Sequence, residues 1–138
     1  MYGYSRMAPR RGGLLEEPLT RSVIGAFYHV YNSLGFGFLE HVYSLALERE
    51  LRRRGHRITR ERYVMVRYDG EPLTTQRLDM VVDDKLIVEI KSTWELHPSA
   101  QRQPLNYLRA TNLEVGVLLH FGAKPEFHRV ISTNRPRH

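Results

Sequence analysis

The chain has no cysteine among its 138 residues. That excludes disulfide scaffolds, thiolate zinc sites, iron–sulfur clusters and cysteine nucleophiles. Long apolar runs are also missing, and nothing approaches the roughly 20 residues needed to span a bilayer. Arg6, Arg10 and Arg11 precede no apolar stretch, so the N-terminal segment does not read as a secretory signal. The expectation is a cytoplasmic protein without a membrane partner. No Walker loop occurs, and Gly35-x-Gly37 lacks a third glycine at the dinucleotide spacing, which disfavours nucleotide-dependent chemistry. His29, His41, His56, His97, His120 and His128 show no HExxH spacing. Each reads as polar surface or a satisfied core histidine.

What is present is ordinary globular composition, 41% hydrophobic and 26% charged, enough for one domain with one core. The formal net charge is +6, and it sits at the ends. Residues 1–13 carry three arginines and no acid, and residues 124–138 carry Lys124, Arg129, Arg135 and Arg137 against Glu126. Between them the basic and acidic residues balance. This divides the chain into a flexible basic arm at 1–13, a single domain at 14–133 and a basic tail at 134–138. Basic tails add non-specific affinity for phosphate backbones or serve solubility.

Periodicity predicts the elements. Leu19, Val23, Ile24, Phe27, Tyr31 and Leu34 form the stripe of an amphipathic helix that stops at Gly35. A second helix carries Leu39, Val42, Tyr43, Ala46 and Leu47 and runs out at Arg54-Gly55. From Ile58 alternation replaces it: a strand at 58–68, a turn at Asp69-Gly70, a return strand at 73–82, and a third strand at 86–91 complete a meander. A helix from about Ser99 to Thr111 and strands at 114–121 and 127–132 follow. The predicted fold class is α/β, with a mixed five-stranded sheet flanked by helices.

Strand alternation then concentrates the chemistry. Ile87, Glu89 and Lys91 share one face of their strand, opposite Leu86, Val88 and Ile90. In the strand before it, Arg77, Asp79 and Val81 oppose Leu78, Met80 and Val82. Asp79, Glu89 and Lys91 can therefore meet on one side of an apolar sheet. Buried charges are costly unless paired or metal-bound. Two carboxylates with a backbone oxygen suit Mg²⁺ or Mn²⁺, and a lysine beside them could stabilise charge on a phosphate. A structural ion pair on a half-exposed sheet is the alternative. Gln103 and Tyr107 lie at i and i+4 on one helix face. Trp94 is either a core anchor or a base-stacking platform.

Taken together these pieces resemble a family. Asp79 followed by Glu89-Ile90-Lys91 is similar to the D…ExK core of the PD-(D/E)XK nuclease superfamily. Gln103…Tyr107 resembles the QxxxY element of its RecB-like and lambda-exonuclease-like branch. Gly37…Glu40…Tyr43 matches the signature of the small GxxExxY proteins. The resemblance runs from about Arg21 to Val130 and implies a restriction-endonuclease-like core. It implies that Glu40, Asp79 and Glu89, with the Ile90 carbonyl, hold Mg²⁺ or Mn²⁺. Lys91 would be the catalytic lysine, and Gln103 and Tyr107 would orient the site. The implied activity is metal-dependent phosphodiester hydrolysis, of DNA rather than RNA. Arg52, Arg53, Arg54 and Tyr43 are the candidate nucleic-acid contacts. Leu78 stands where the superfamily name has proline. Pro104 falls inside the QxxxY stretch: it costs about 3 kcal/mol in a helix begun near Ser99 and little in one begun near Gln103. The alternative function is a catalytically silent homo-oligomer or interaction module built on the same fold.

Overall fold

A computed structural model describes residues 16–133. The expected arm at 1–13 and tail at 134–138 lie outside the described residues. Helix α1 (Glu17–Leu34) and helix α2 (Glu40–Arg53) lead into strands β1 (Ile58–Thr59), β2 (Tyr63–Tyr68), β3 (Glu71–Arg77), β4 (Met80–Val82) and β5 (Leu86–Lys91). A 3-10 turn (Pro98–Gln101) then runs into helix α3 (Arg102–Arg109), followed by β6 (Val115–Phe121) and β7 (Pro125–Ile131).

The main sheet has the order β1-β4-β5-β6-β7. Only β5 and β6 run parallel, with α3 in the connection between them, so the sheet is mixed as expected. β6 is buried at every residue and β5 at all but Lys91. Such near-continuous apolar strands belong in the middle of a sheet covered on both faces. The cover on one face is α1 and α2, where Val23, Phe27, Tyr43 and Leu47 pack on Met80, Val88, Val117 and Phe121. On the other face Tyr107 and Leu108 of α3 pack on Val81 and Ile87.

The expected meander is corrected in one respect. The stretch predicted as a strand at 58–68 is split: β1 joins the main sheet beside β4, whereas β2 pairs only with β3 in a separate two-stranded sheet. The return stretch at 73–82 divides likewise into β3 and β4. The hairpin leaves the body at one point, where the Leu78 N–H donates to the Arg62 carbonyl (2.9 Å). All of β3 is exposed, and alternation alone reports a strand without saying which sheet receives it. Leu78 is corrected too. It precedes the regular part of β4 and packs with Val64 and Val81 on the α3 side, not with Met80 and Val82.

The connection between α1 and α2 is drawn tight. Gly35 and Gly37 have φ of 72° and 119°, a region that side-chain-bearing residues rarely adopt. The Tyr43 hydroxyl donates to the Gly35 carbonyl and accepts from the Phe38 N–H. Its ring stacks on Phe121 at 4.1 Å. The turn therefore sets the start of α2, and with it Glu40.

Candidate active site

In the β4–β5 ladder Met80 faces Val88, and one step further brings Asp79 beside Glu89. Asp79 Oδ2 accepts the Ile90 N–H at 2.8 Å. Glu89 is 3% exposed, and its Oε2 has no hydrogen-bond partner. Burial foremost, then the neighbouring Asp79 charge and a carboxyl–carboxyl hydrogen bond with Asp79, pushes the Glu89 carboxyl up to about 8; the Asp79 N–H and Lys91 pull the other way. A carboxyl in this position is protonated at neutral pH unless something positive displaces the proton.

Three further groups face this pair. Glu40 opens α2 and is largely exposed, yet its carboxyl is raised by partial desolvation and by the Asp79 charge, with Lys91 opposing. Lys91 ends β5 and lines a hollow of about 390 Å³ together with Thr93, Glu95, His97 and Gln103. Tyr107 is buried on α3, and its hydroxyl is raised by burial and by the Glu89 charge. Gln103 Nε2 donates to the Tyr107 hydroxyl at 2.7 Å. Pro104 is the third residue of α3, where its missing N–H would have had no partner within the helix anyway. The shorter helix removes the cost considered above, and Gln103 keeps its place.

Asp79, Glu89, Lys91, Gln103, Tyr107 and Glu40 are thus brought to one end of the sheet. Among the described residues, however, no group of three or more histidine, aspartate or glutamate side chains is arranged to hold a metal ion. Glu40 does not close a three-carboxylate cage with Asp79 and Glu89. The pair still fits a hard divalent cation, because Glu89 Oε2 is a buried oxygen acceptor without a donor beside a second carboxylate. Ile90 contributes its N–H to Asp79 on the β4 side, and the carbonyl of a strand residue leaves on the same edge as its N–H.

The arginine candidates lie elsewhere. Arg52–Arg54 end α2, about 20 Å along the helix from Glu40. Arg52 binds Glu48 (2.9 Å) and Arg54 binds Glu50 (2.8 Å), while Arg53 stands 3.8 Å from Glu50. Partial burial works to raise Glu48, but Arg52 and Arg60 hold it below its ordinary value. Tyr43 is fully buried and has no surface to offer a nucleic acid; it fastens the Gly35–Phe38 turn instead. Trp94 is 68% exposed with its ring 5.4 Å from that of Phe36, so it is not a core anchor.

Two histidines matter more than their spacing suggested. His120 pairs in register with Lys91 and is 2% exposed. Its Nε2 lies 2.9 Å from the Thr93 carbonyl, which fixes the chain leaving Lys91. A Cβ at Gly122 would sit 2.4 Å from the His120 ring, so that position requires glycine. His56 bridges Ser22 Oγ (2.7 Å) and Asp83 Oδ2 (2.8 Å), the bonding order of a hydrolytic triad. Ser22 lies inside α1, where backbone N–H groups are spent within the helix, so none is free for an oxyanion. The trio ties α1 to the β4–β5 turn. Neither arrangement has a sequence signature, because each joins residues distant along the chain.

The family model of the PD-(D/E)XK nuclease superfamily matches residues 17–130. Similar solved structures include the crystal structure of SSO0001, with 17% identity and a TM-score of 0.54 over 89% of this chain and 61% of that one. At that identity the likeness concerns the fold. This chain spans only about 61% of the length of that protein. No curated protein matches the chain.

Proposed function

On the premise that the chain belongs to the PD-(D/E)XK nuclease superfamily, we propose that it is a metal-dependent nuclease acting on DNA, with its centre at Asp79, Glu89 and Lys91. The observation that carries this reading is the buried, unpartnered Glu89 Oε2 beside Asp79, at the end of the sheet where Lys91 opens into a hollow. Gly37, Glu40 and Tyr43, with Gln103 and Tyr107, support assignment to the GxxExxY group of the QxxxY branch.

Asp79 and Glu89, with the Ile90 carbonyl, would hold Mg²⁺ or Mn²⁺. The chemistry such an ion supplies is a water of lowered pKa and charge neutralisation at the phosphoryl oxygen. The chain's own residues do the rest. The Ile90 N–H orients Asp79. The Gln103–Tyr107 hydrogen bond fixes the phenol, whose hydroxyl feels the Glu89 charge. The Lys91 ammonium stabilises the negative charge that builds on the phosphate as water adds and the ester bond breaks. Glu40, at the positive end of α2, faces the same charges from the opposite layer.

The test is cleavage of labelled DNA and RNA in Mg²⁺ and Mn²⁺. We expect wild type to cut and EDTA to stop it. Asp79→Ala should be inactive, and Lys91→Ala slower by about 10²–10³-fold. Wild-type protein that cuts nothing, or Lys91→Ala that cuts like wild type, would contradict the assignment. The absence of a three-carboxylate group among the described residues favours the second reading, a silent nuclease fold used in assembly. An inactive wild type that self-associates would support that reading.

A further inference from the structure

Between the β2–β3 hairpin and α3 runs a groove of about 1170 Å³. Val64, Val66, Thr74 and Gln76 share one hairpin face, since Val64 is opposite Gln76 and Val66 opposite Thr74. They form one wall, and α3 with Asn106 and Tyr107 forms the other. Arg67, Arg102 and Arg109 also line it, and no aspartate or glutamate does. Among the described residues none of these three arginines has a carboxylate partner, whereas Arg52, Arg54, Arg57 and Arg60 all do. The groove shares Ser99 and Gln103 with the hollow around Lys91, so the two adjoin at these residues.

We propose that this groove seats a single-stranded phosphodiester chain and leads it past Gln103 to Lys91, with the hairpin as the wall that turns duplexes away. The inference rests on the nuclease reading for what happens at Lys91, but the binding claim stands on the groove. Three unpaired cations over an acid-free lining complement a polyanion. Apolar residues interleaved with amides and a hydroxyl suit unstacked bases, which offer apolar faces and free hydrogen-bonding edges. A duplex keeps its bases stacked and paired, so it cannot lay their faces and pairing edges on this lining as an unstacked strand can. The arginines of α2 lie across the sheet and take no part.

The test is anisotropy of fluorescein-labelled oligothymidylate, oligouridylate and a matching DNA duplex, titrated with protein in EDTA so that nothing is cut. Wild type should bind single strands at least tenfold more tightly than the duplex, and comparison of the two single strands distinguishes DNA from RNA as the source of the phosphodiester. Arg102→Ala with Arg109→Ala should weaken single-strand binding about tenfold and flatten its salt dependence by about 0.7 per lost phosphate contact. Arg102→Lys with Arg109→Lys should restore most of the affinity, and Arg53→Ala should bind as wild type. Equal or tighter duplex binding, or groove variants that bind as wild type, would overturn the proposal even if the protein cuts DNA. Groove-dependent binding by a protein that cuts nothing would leave the groove standing and remove the nuclease reading instead.

Discussion

Glu89 occupies a position where a carboxylate costs stability in the metal-free protein. Its folded pKa is raised to about 8 by burial and by Asp79, while the unfolded chain loses the same proton in the ordinary glutamate range. Between those values the unfolded state binds fewer protons than the native one, so this group makes stability fall as pH rises, levelling off above about 8. Glu89→Gln should remove that decline. In EDTA, unfolding free energy against pH should show the variant above wild type at alkaline pH, by roughly 3–5 kcal/mol at most, with the two converging in acid. A variant less stable than wild type throughout would mean that Glu89 serves packing rather than a site. The Asp79–Glu89–Lys91 grouping was legible because strand alternation is a backbone property. Tyr43, Trp94 and His120 were not, because their burial depends on what folds over them. The glycine turn closes over Tyr43, whereas Trp94 lies in a loop beside Phe36 at the surface.

Among the elements the hairpin is the least expected. Alternation from Ile58 to Tyr68 reads as a single strand, yet the chain leaves the sheet between β1 and β2, where Arg60 binds Glu48 (3.0 Å) and its carbonyl accepts from Arg77. Such a break is set by partners remote in sequence. Isolated two-stranded hairpins are marginal in water, so most of this one's order comes from its base and from Val64, which is buried against Leu78 and Tyr107. Excising residues 63–77 and joining Arg62 to Leu78 through a short turn should leave a folded body. The expected cost is about 2–3 kcal/mol, chiefly the lost Val64 packing, with single-strand binding reduced more than cleavage of short substrates. Circular dichroism and a melting curve check the first claim. An unfolded product would show that the hairpin is integral to the core. Helix α3 was legible in type but too long at its start, because its first turn is 3-10; that difference decides where Pro104 falls.

Across the whole molecule, the expected sandwich of helices on a mixed sheet stands, and among the described residues no helix is long and apolar enough to cross a membrane. The α1 stripe is spent on the sheet, with Val23, Ile24, Ala26, Phe27 and Val30 all buried; exposed large apolar residues lie instead on the β2–β3 hairpin (Tyr63, Met65, Tyr68 and Leu73), at Leu45 of α2, and at Phe36, Phe38, Leu39 and Trp94 around the turn that leads to Glu40. The fold thereby places part of its exposed apolar surface and its buried acid pair at the same end, and the function proposed for that end needs the pair to take a cation. Calorimetric titration with Mn²⁺ near neutral pH, in two buffers of different ionisation enthalpy, asks this without reference to cleavage. A cation entering beside Glu89 must displace its proton. Wild type should bind Mn²⁺ with release of about one proton per ion, and Asp79→Ala should give no binding heat. Wild type that takes up no Mn²⁺ at millimolar concentration, or an Asp79→Ala isotherm that matches wild type, would contradict the account.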